Sequence, residues 1–101
     1  MEQTCVKTIE KVKLDIEYPP NYNVLFYNDN FTTMDFVVRI LMDIYHHKSN
    51  EAHALMMKIH QEGKAVVGTY PHSIAVTKKK ITIEMARNFG FPLKVTVEKS
   101  K

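Results

Sequence analysis

Three strand-like runs, held apart by helix-length patterns, leave this chain few ways to fold. Residues 22–27 are rich in aromatic and β-branched side chains and predict a central strand. Residues 64–70 predict a second strand, with Gly68 marking a bulge or a close approach. In residues 93–99, Leu93, Val95 and Val97 alternate as one face of a third strand. Between them, Met34, Val37, Ile40, Leu41, Ile44 and Tyr45 fall at helical spacing and predict a helix over 33–46. Ala52, Leu55, Met56 and Ile59 mark the buried face of the next helix. Ile74, Ile81, Met85 and Phe89 mark a face on the one after. The order is β-α-α-β-α-β. It predicts an α+β fold, a small antiparallel three-stranded sheet with three helices packed on one face.

The punctuation agrees. Asn28-Asp29-Asn30 is a turn cluster, Thr32 suits an N-cap and Asp35 follows three residues on. His46-His47-Lys48 suits a helix C-terminus, and Ser49-Asn50 the start of the next helix. Gly63 and Gly90 fit the positions just past two helix ends, and Pro71-His72-Ser73 opens the third helix. Residues 1–20 end in Pro19-Pro20 and are charged. The alternation of Val12, Leu14, Ile16 and Tyr18 allows a strand, but the prolines favour a flexible N-terminal extension before a domain at 21–101.

Composition limits the function classes. A chain of 101 residues with 45% apolar and 25% charged side chains predicts one ordinary globular domain. One cysteine, Cys5, excludes an internal disulfide and suits a reducing, cytoplasmic setting. No apolar run approaches the roughly 18 residues that span a bilayer, and the N-terminus has no signal-peptide pattern. The net charge of +3 fits an acidic protein partner or weak nucleic-acid contact and decides neither.

Chemistry is sparse. His46, His53 and His60 are spaced by seven, without the closer ligand pair or cysteines of a zinc site, so no metal or cofactor is expected. Asp29 and His60 allow a dyad, but no nucleophile motif accompanies them. No glycine-rich phosphate loop is present. Lys78-Lys79-Lys80 would be the basis of a small nucleic-acid-binding domain on the third helix, but no aromatics interleave with it. What stands out is a corner. Two amides flank an acid where a strand meets an apolar helix that starts with Met34, and His60 lies on a helix that also carries Met56 and Met57. A positive group beside an apolar one would suit both halves of that corner.

Three stretches, "VLFYNDNFTTMDFVV" (24–38), "HALMMKIHQEGKAVVG" (53–68) and "FPLKVTVEK" (91–99), resemble the ClpS adaptor family in order and spacing. The first resembles that family's NDDxTPMEFV signature, the second its M-x-x-x-H-x-x-G-K-A run. The resemblance covers about residues 20–99 and implies an adaptor rather than an enzyme. Such proteins bind chains whose first residue is Leu, Phe, Tyr or Trp. They deliver them to a ClpA-type AAA+ unfoldase coupled to ClpP.

Carried over residue by residue, the resemblance assigns Asn28, Asp29, Asn30 and His60 to the α-amino group. It assigns Thr32, Met34, Val37, Met56, Ile59 and Leu93 to a hydrophobic specificity pocket. Met34 occupies the gatekeeper position, which would exclude the β-branched Ile and Val. Ser73 and Lys78 fall where relatives contact the unfoldase. A monomer is expected, with no nucleic-acid or membrane partner. This chain departs from the pattern at Asn30, where relatives commonly have a second acid, and at Thr33, where they have proline. Ser73 and Val76 stand where relatives carry glutamates.

Overall fold

The computed structural model describes residues 20–100. The N-terminal extension expected over 1–20 therefore lies, but for Pro20, outside the described residues. The elements are β1 (Asn21–Tyr27), α1 (Met34–Asp43), α2 (Ser49–Glu62), β2 (Lys64–Pro71), α3 (His72–Asn88) and β3 (Lys94–Lys99). The sheet is antiparallel and three-stranded, as expected, with order β2-β1-β3, which puts the strand expected to be central in the middle.

β1 is central because it can be covered on both faces. Val24, Leu25 and Phe26 are consecutive and all buried, where an edge strand would alternate with polar residues. Val24 and Phe26 join Val67 and Val95 on the helix side, against Ile40, Leu41, Ile59, Ala75 and Ala86. Phe26 is fully buried and packs edge-to-face on Tyr45, with ring centroids 5.4 Å apart. Truncating it to Ala would cost about 3–5 kcal/mol.

Gly68 answers to both expectations made for it. The register shifts between Val24 and Leu25, so that Val24 faces Gly68, Leu25 faces Val66, and Val67 is the extra residue of a bulge. A Cβ at Gly68 would also collide with the Tyr70 ring. The bulged carbonyl of Val67 accepts a hydrogen bond from Nε2 of His47, which ties β2 to the turn between α1 and α2.

The helices differ from expectation in their ends and in one face. α1 starts one residue later than a Thr32 cap implies: Thr33 is the N-cap, its hydroxyl accepting the Phe36 N–H at 3.2 Å. Thr32 is committed elsewhere, to Asp29. α1 ends at Asp43, short of 46, because Tyr45 leaves the helix to set its ring on Phe26 and its hydroxyl on Thr82. His46 then turns the chain with φ 59°, so His46-His47-Lys48 forms a turn and not the last helical turn. Lys48, not Ser49 or Asn50, is the N-cap of α2, and the Glu51 side chain accepts its backbone N–H at 3.0 Å.

α3 packs on all three strands, but through Ala75, Thr82 and Ala86. Ile74 and Ile81, expected to face the core, are exposed, and so is Phe89. Small residues let this helix approach the sheet closely, which bulky isoleucines would prevent. Gly90, at φ 78°, closes α3 as expected: Phe91 N–H bonds to Ala86 C=O and Gly90 N–H to Arg87 C=O, the paired bonds of a Schellman end.

Candidate functional site

The site is built from the corner after β1 and the end of α2. Gly63, in a left-handed conformation at φ 88°, ends α2 and donates its N–H to Ile59. Its carbonyl accepts the Asn28 backbone N–H at 2.8 Å. That one bond places the Asn28–Thr33 corner opposite His60, which lies one turn back on α2.

Asp29 shapes the corner. Its Oδ1 accepts the backbone N–H groups of Phe31, at 2.8 Å, and Thr32, at 2.6 Å. Its Oδ2 accepts the Thr32 hydroxyl at 2.7 Å. Partial burial works against the charged carboxylate, but the Thr32 amide and hydroxyl and the Phe31 amide outweigh it. The Asp29 pKa is held below its ordinary 3.8. The acid is therefore ionised, fixes the loop, and adds negative charge just ahead of α1, where a helix dipole favours it.

Around this frame a cavity of about 330 Å³ is lined by Asn28, Asp29, Asn30, Thr32, Met34 and His60, with Phe31 and Thr33. All four residues assigned to the α-amino group meet there, with two of the six assigned to the apolar pocket. The other four lie elsewhere. Val37, Ile59 and Leu93 are buried in the core, and Met56 packs partly buried against it. Met34 is 44% exposed at the cavity edge. Phe31, which received no role from the sequence, stands at the rim and is 73% exposed. Its signal was available: an aromatic side chain between turn residues has no strand or helix face to hide on.

The second set of predicted contacts is on α3. Ser73 is exposed in its first turn. Lys78 is half-buried and reaches across to α1, where Nζ donates to the Ile44 carbonyl at 2.6 Å. Its ammonium lies 5.6 Å from the Tyr45 ring centroid and 5.1 Å from that of Tyr70. Beside it, Thr82 donates to the Lys78 carbonyl, so the Tyr45 hydroxyl must donate to Thr82. Burial, above all, pushes the Tyr45 hydroxyl up to about 12, so it stays protonated at any ordinary pH.

His46, His53 and His60 do not converge. His53 bonds the Ser49 carbonyl one turn back, and among the described residues no three potential ligands gather into a metal site. No helix of the described residues is long and apolar enough to cross a membrane.

An anchored polar corner beside apolar cover, on a small α+β sandwich, defines a binding domain of the adaptor type. The family model for "ATP-dependent Clp protease adaptor protein ClpS" matches residues 17–96. The adapter ClpS of Desulforapulum autotrophicum is 42% identical over 93 residues, covering 92% of this chain and 89% of that one. That of Helicobacter hepaticus is 47% identical over 83 residues, covering 82% and 84%. The structure of Agrobacterium tumefaciens ClpS2 bound to L-phenylalaninamide superposes with a TM-score of 0.79 at 32% identity, covering 82% of this chain and all of that one. The chain belongs to the ClpS family of Clp protease adaptors, and it is an adaptor, not an enzyme.

Proposed function

We propose that this adaptor captures proteins by a free N-terminal Leu, Phe, Tyr or Trp and delivers them to a ClpA-type AAA+ unfoldase working with ClpP. The observation that carries this reading is the convergence of Asn28, Asp29, Asn30, Met34 and His60 on one cavity. It is supported by the ligand of the Agrobacterium relative, which pairs a free amino group with a phenyl side chain.

An α-amino group has a pKa of about 7.7–8.0 and is mostly protonated at neutral pH. The Asn28 and Asn30 amide oxygens and a His60 ring nitrogen would accept hydrogen bonds from it. Asp29, with both oxygens already holding the loop, would act mainly through its charge. The side chain would pass Thr32 and Met34 and settle over Val37, Met56, Ile59 and Leu93. Val37, Ile59 and Leu93 are buried, so the pocket would open by movement of neighbouring side chains, which flexible thioethers such as Met34 and Met56 make at small cost.

The magnitudes suit a transient adaptor. Burying the apolar side chain contributes about 1.5–3 kcal/mol, and each bond to the ammonium about as much again. Association costs about 4 kcal/mol or more, which leaves an affinity no tighter than about micromolar. Asn30, an amide where relatives have an acid, lowers the charge at the site and hence the affinity. On α3, exposed Ser73 would touch the unfoldase, while Lys78, held under its two rings, would set the position of that helix.

Degradation of a reporter protein that starts with Phe, by a ClpA-type unfoldase with ClpP, tests this. The adaptor should accelerate it, and excess phenylalaninamide should abolish the acceleration while its N-acetyl form does not. Acceleration that ignores phenylalaninamide would contradict the reading.

A further inference from the structure

A second cavity, larger than the one at His60, lies elsewhere on the domain. A groove of about 520 Å³ runs along the other side of α1, between that helix and the corner after α3. Its floor and wall are Phe36, Ile40, Met85, Phe89 and Phe91. The three phenyl rings form one cluster: Phe36 lies 5.2 Å from Phe89 and 5.0 Å from Phe91, and Phe89 stacks on Phe91 at 6.3 Å. Phe89 is nevertheless 64% exposed, which is unusual for a ring that already has two aromatic neighbours.

Two observations say what would cover it. The groove adjoins the His60 cavity, since Thr33 lines both. Its rim is acidic: Asp43 is paired with Arg39 at 3.6 Å, whereas Asp35 makes no ion pair among the described residues. From Thr33 to Asp43 the groove follows α1 for about 15 Å, at about 1.5 Å per residue. An extended chain covers that length with about four or five residues, at about 3.3 Å each.

We propose that this groove is a second subsite for the same substrate chain. It takes an apolar side chain about two to four residues beyond the N-terminal one, and it favours a neighbouring Lys or Arg through Asp35. This rests on the N-terminal recognition argued above and adds to it a preference for the downstream sequence. A protein with a suitable first residue but a polar or acidic continuation would be a poorer client.

The test compares two labelled peptides with the same N-terminal Phe, one carrying Leu-Lys and one Gly-Ser at positions 3 and 4, with phenylalaninamide as competitor. Phe89→Ser is the informative variant, since the ring is exposed and lines the groove but not the His60 cavity. The native chain should bind the Leu-Lys peptide roughly five- to tenfold more tightly, as expected for partial burial of a leucine. Phe89→Ser should erase that difference and leave phenylalaninamide unchanged, and Asp35→Asn should remove only the share due to Lys. Equal binding of the two peptides by the native chain, or an advantage that survives Phe89→Ser, would overturn the second subsite while phenylalaninamide binding still upheld the first. Failure of every ligand, phenylalaninamide included, would overturn both.

Discussion

The two ends of α1 are built alike and serve differently. At its N-terminal end an ionised acid, Asp29, gathers backbone amides and a threonine hydroxyl. At its C-terminal end a lysine, Lys78, caps the Ile44 carbonyl beside Tyr45 and Thr82. Each charge has the sign that the helix dipole favours at that end. The difference is in what surrounds them. Lys78 is roofed by two aromatic rings and donates to the Ile44 carbonyl, so its charge is engaged within the chain. Around Asp29, the Asn28, Asn30 and His60 side chains are exposed over a cavity. A charge with all its partners inside the chain is architecture. A charge ringed by open acceptors is a place for a cation.

Substitutions can break this contrast from either side. Asp29→Ala should have the largest effect, because three hydrogen bonds to one carboxylate are lost together. We expect about 2–3 kcal/mol of stability and at least a tenfold loss of Phe-peptide affinity, read by thermal denaturation and by titration. If Asp29→Ala binds the peptide as the native chain does, the corner is not the site.

Lys78→Met should cost about 2 kcal/mol, a fall in Tm of about 8–16 °C, with peptide affinity in the cold unchanged. A loss of affinity at full stability would reverse the roles assigned to the two ends. His60→Ala should show the converse pattern, about tenfold weaker peptide binding with Tm within a degree or two, since the ring is exposed.

The pH profile separates the partners. Asp29 is held below its ordinary 3.8, so its stabilisation is complete above about pH 4 and is lost as pH falls through the lower folded value. On the alkaline side, binding should weaken above about pH 8 as the ligand amine loses its proton, with stability unaffected there by Tyr45. Met34→Ala should have the smallest effect, a few-fold gain for Ile- and Val-starting peptides and little change for Phe.

Much of this was legible beforehand, and the failures have physical causes. The element order and the central place of β1 followed from consecutive strand-forming residues. The face of α3 was misjudged because Ala75, Thr82 and Ala86 carry a weak hydrophobic signal next to Ile74 and Ile81, yet only small side chains fit that close to the sheet. Asp29 and Lys78 read alike as available charges, since hydrogen bonds within a turn, or from α3 to Ile44, leave no pattern in one sequence. The meeting of Asn28 with His60 came only with the resemblance, and the Phe36–Phe89–Phe91 groove joins residues too far apart for spacing to reveal.

The exposed corner is proposed to recognise a free α-amino group beside a large side chain that is not branched at Cβ. Fluorescence anisotropy of four labelled peptides that differ only at the first residue, Phe, Leu, Ile or acetyl-Phe, tests it most directly. Tight binding of Phe and Leu, with Ile and acetyl-Phe at least tenfold weaker, is the predicted result. Equal binding of Phe and acetyl-Phe would contradict it, because the charge would then play no part.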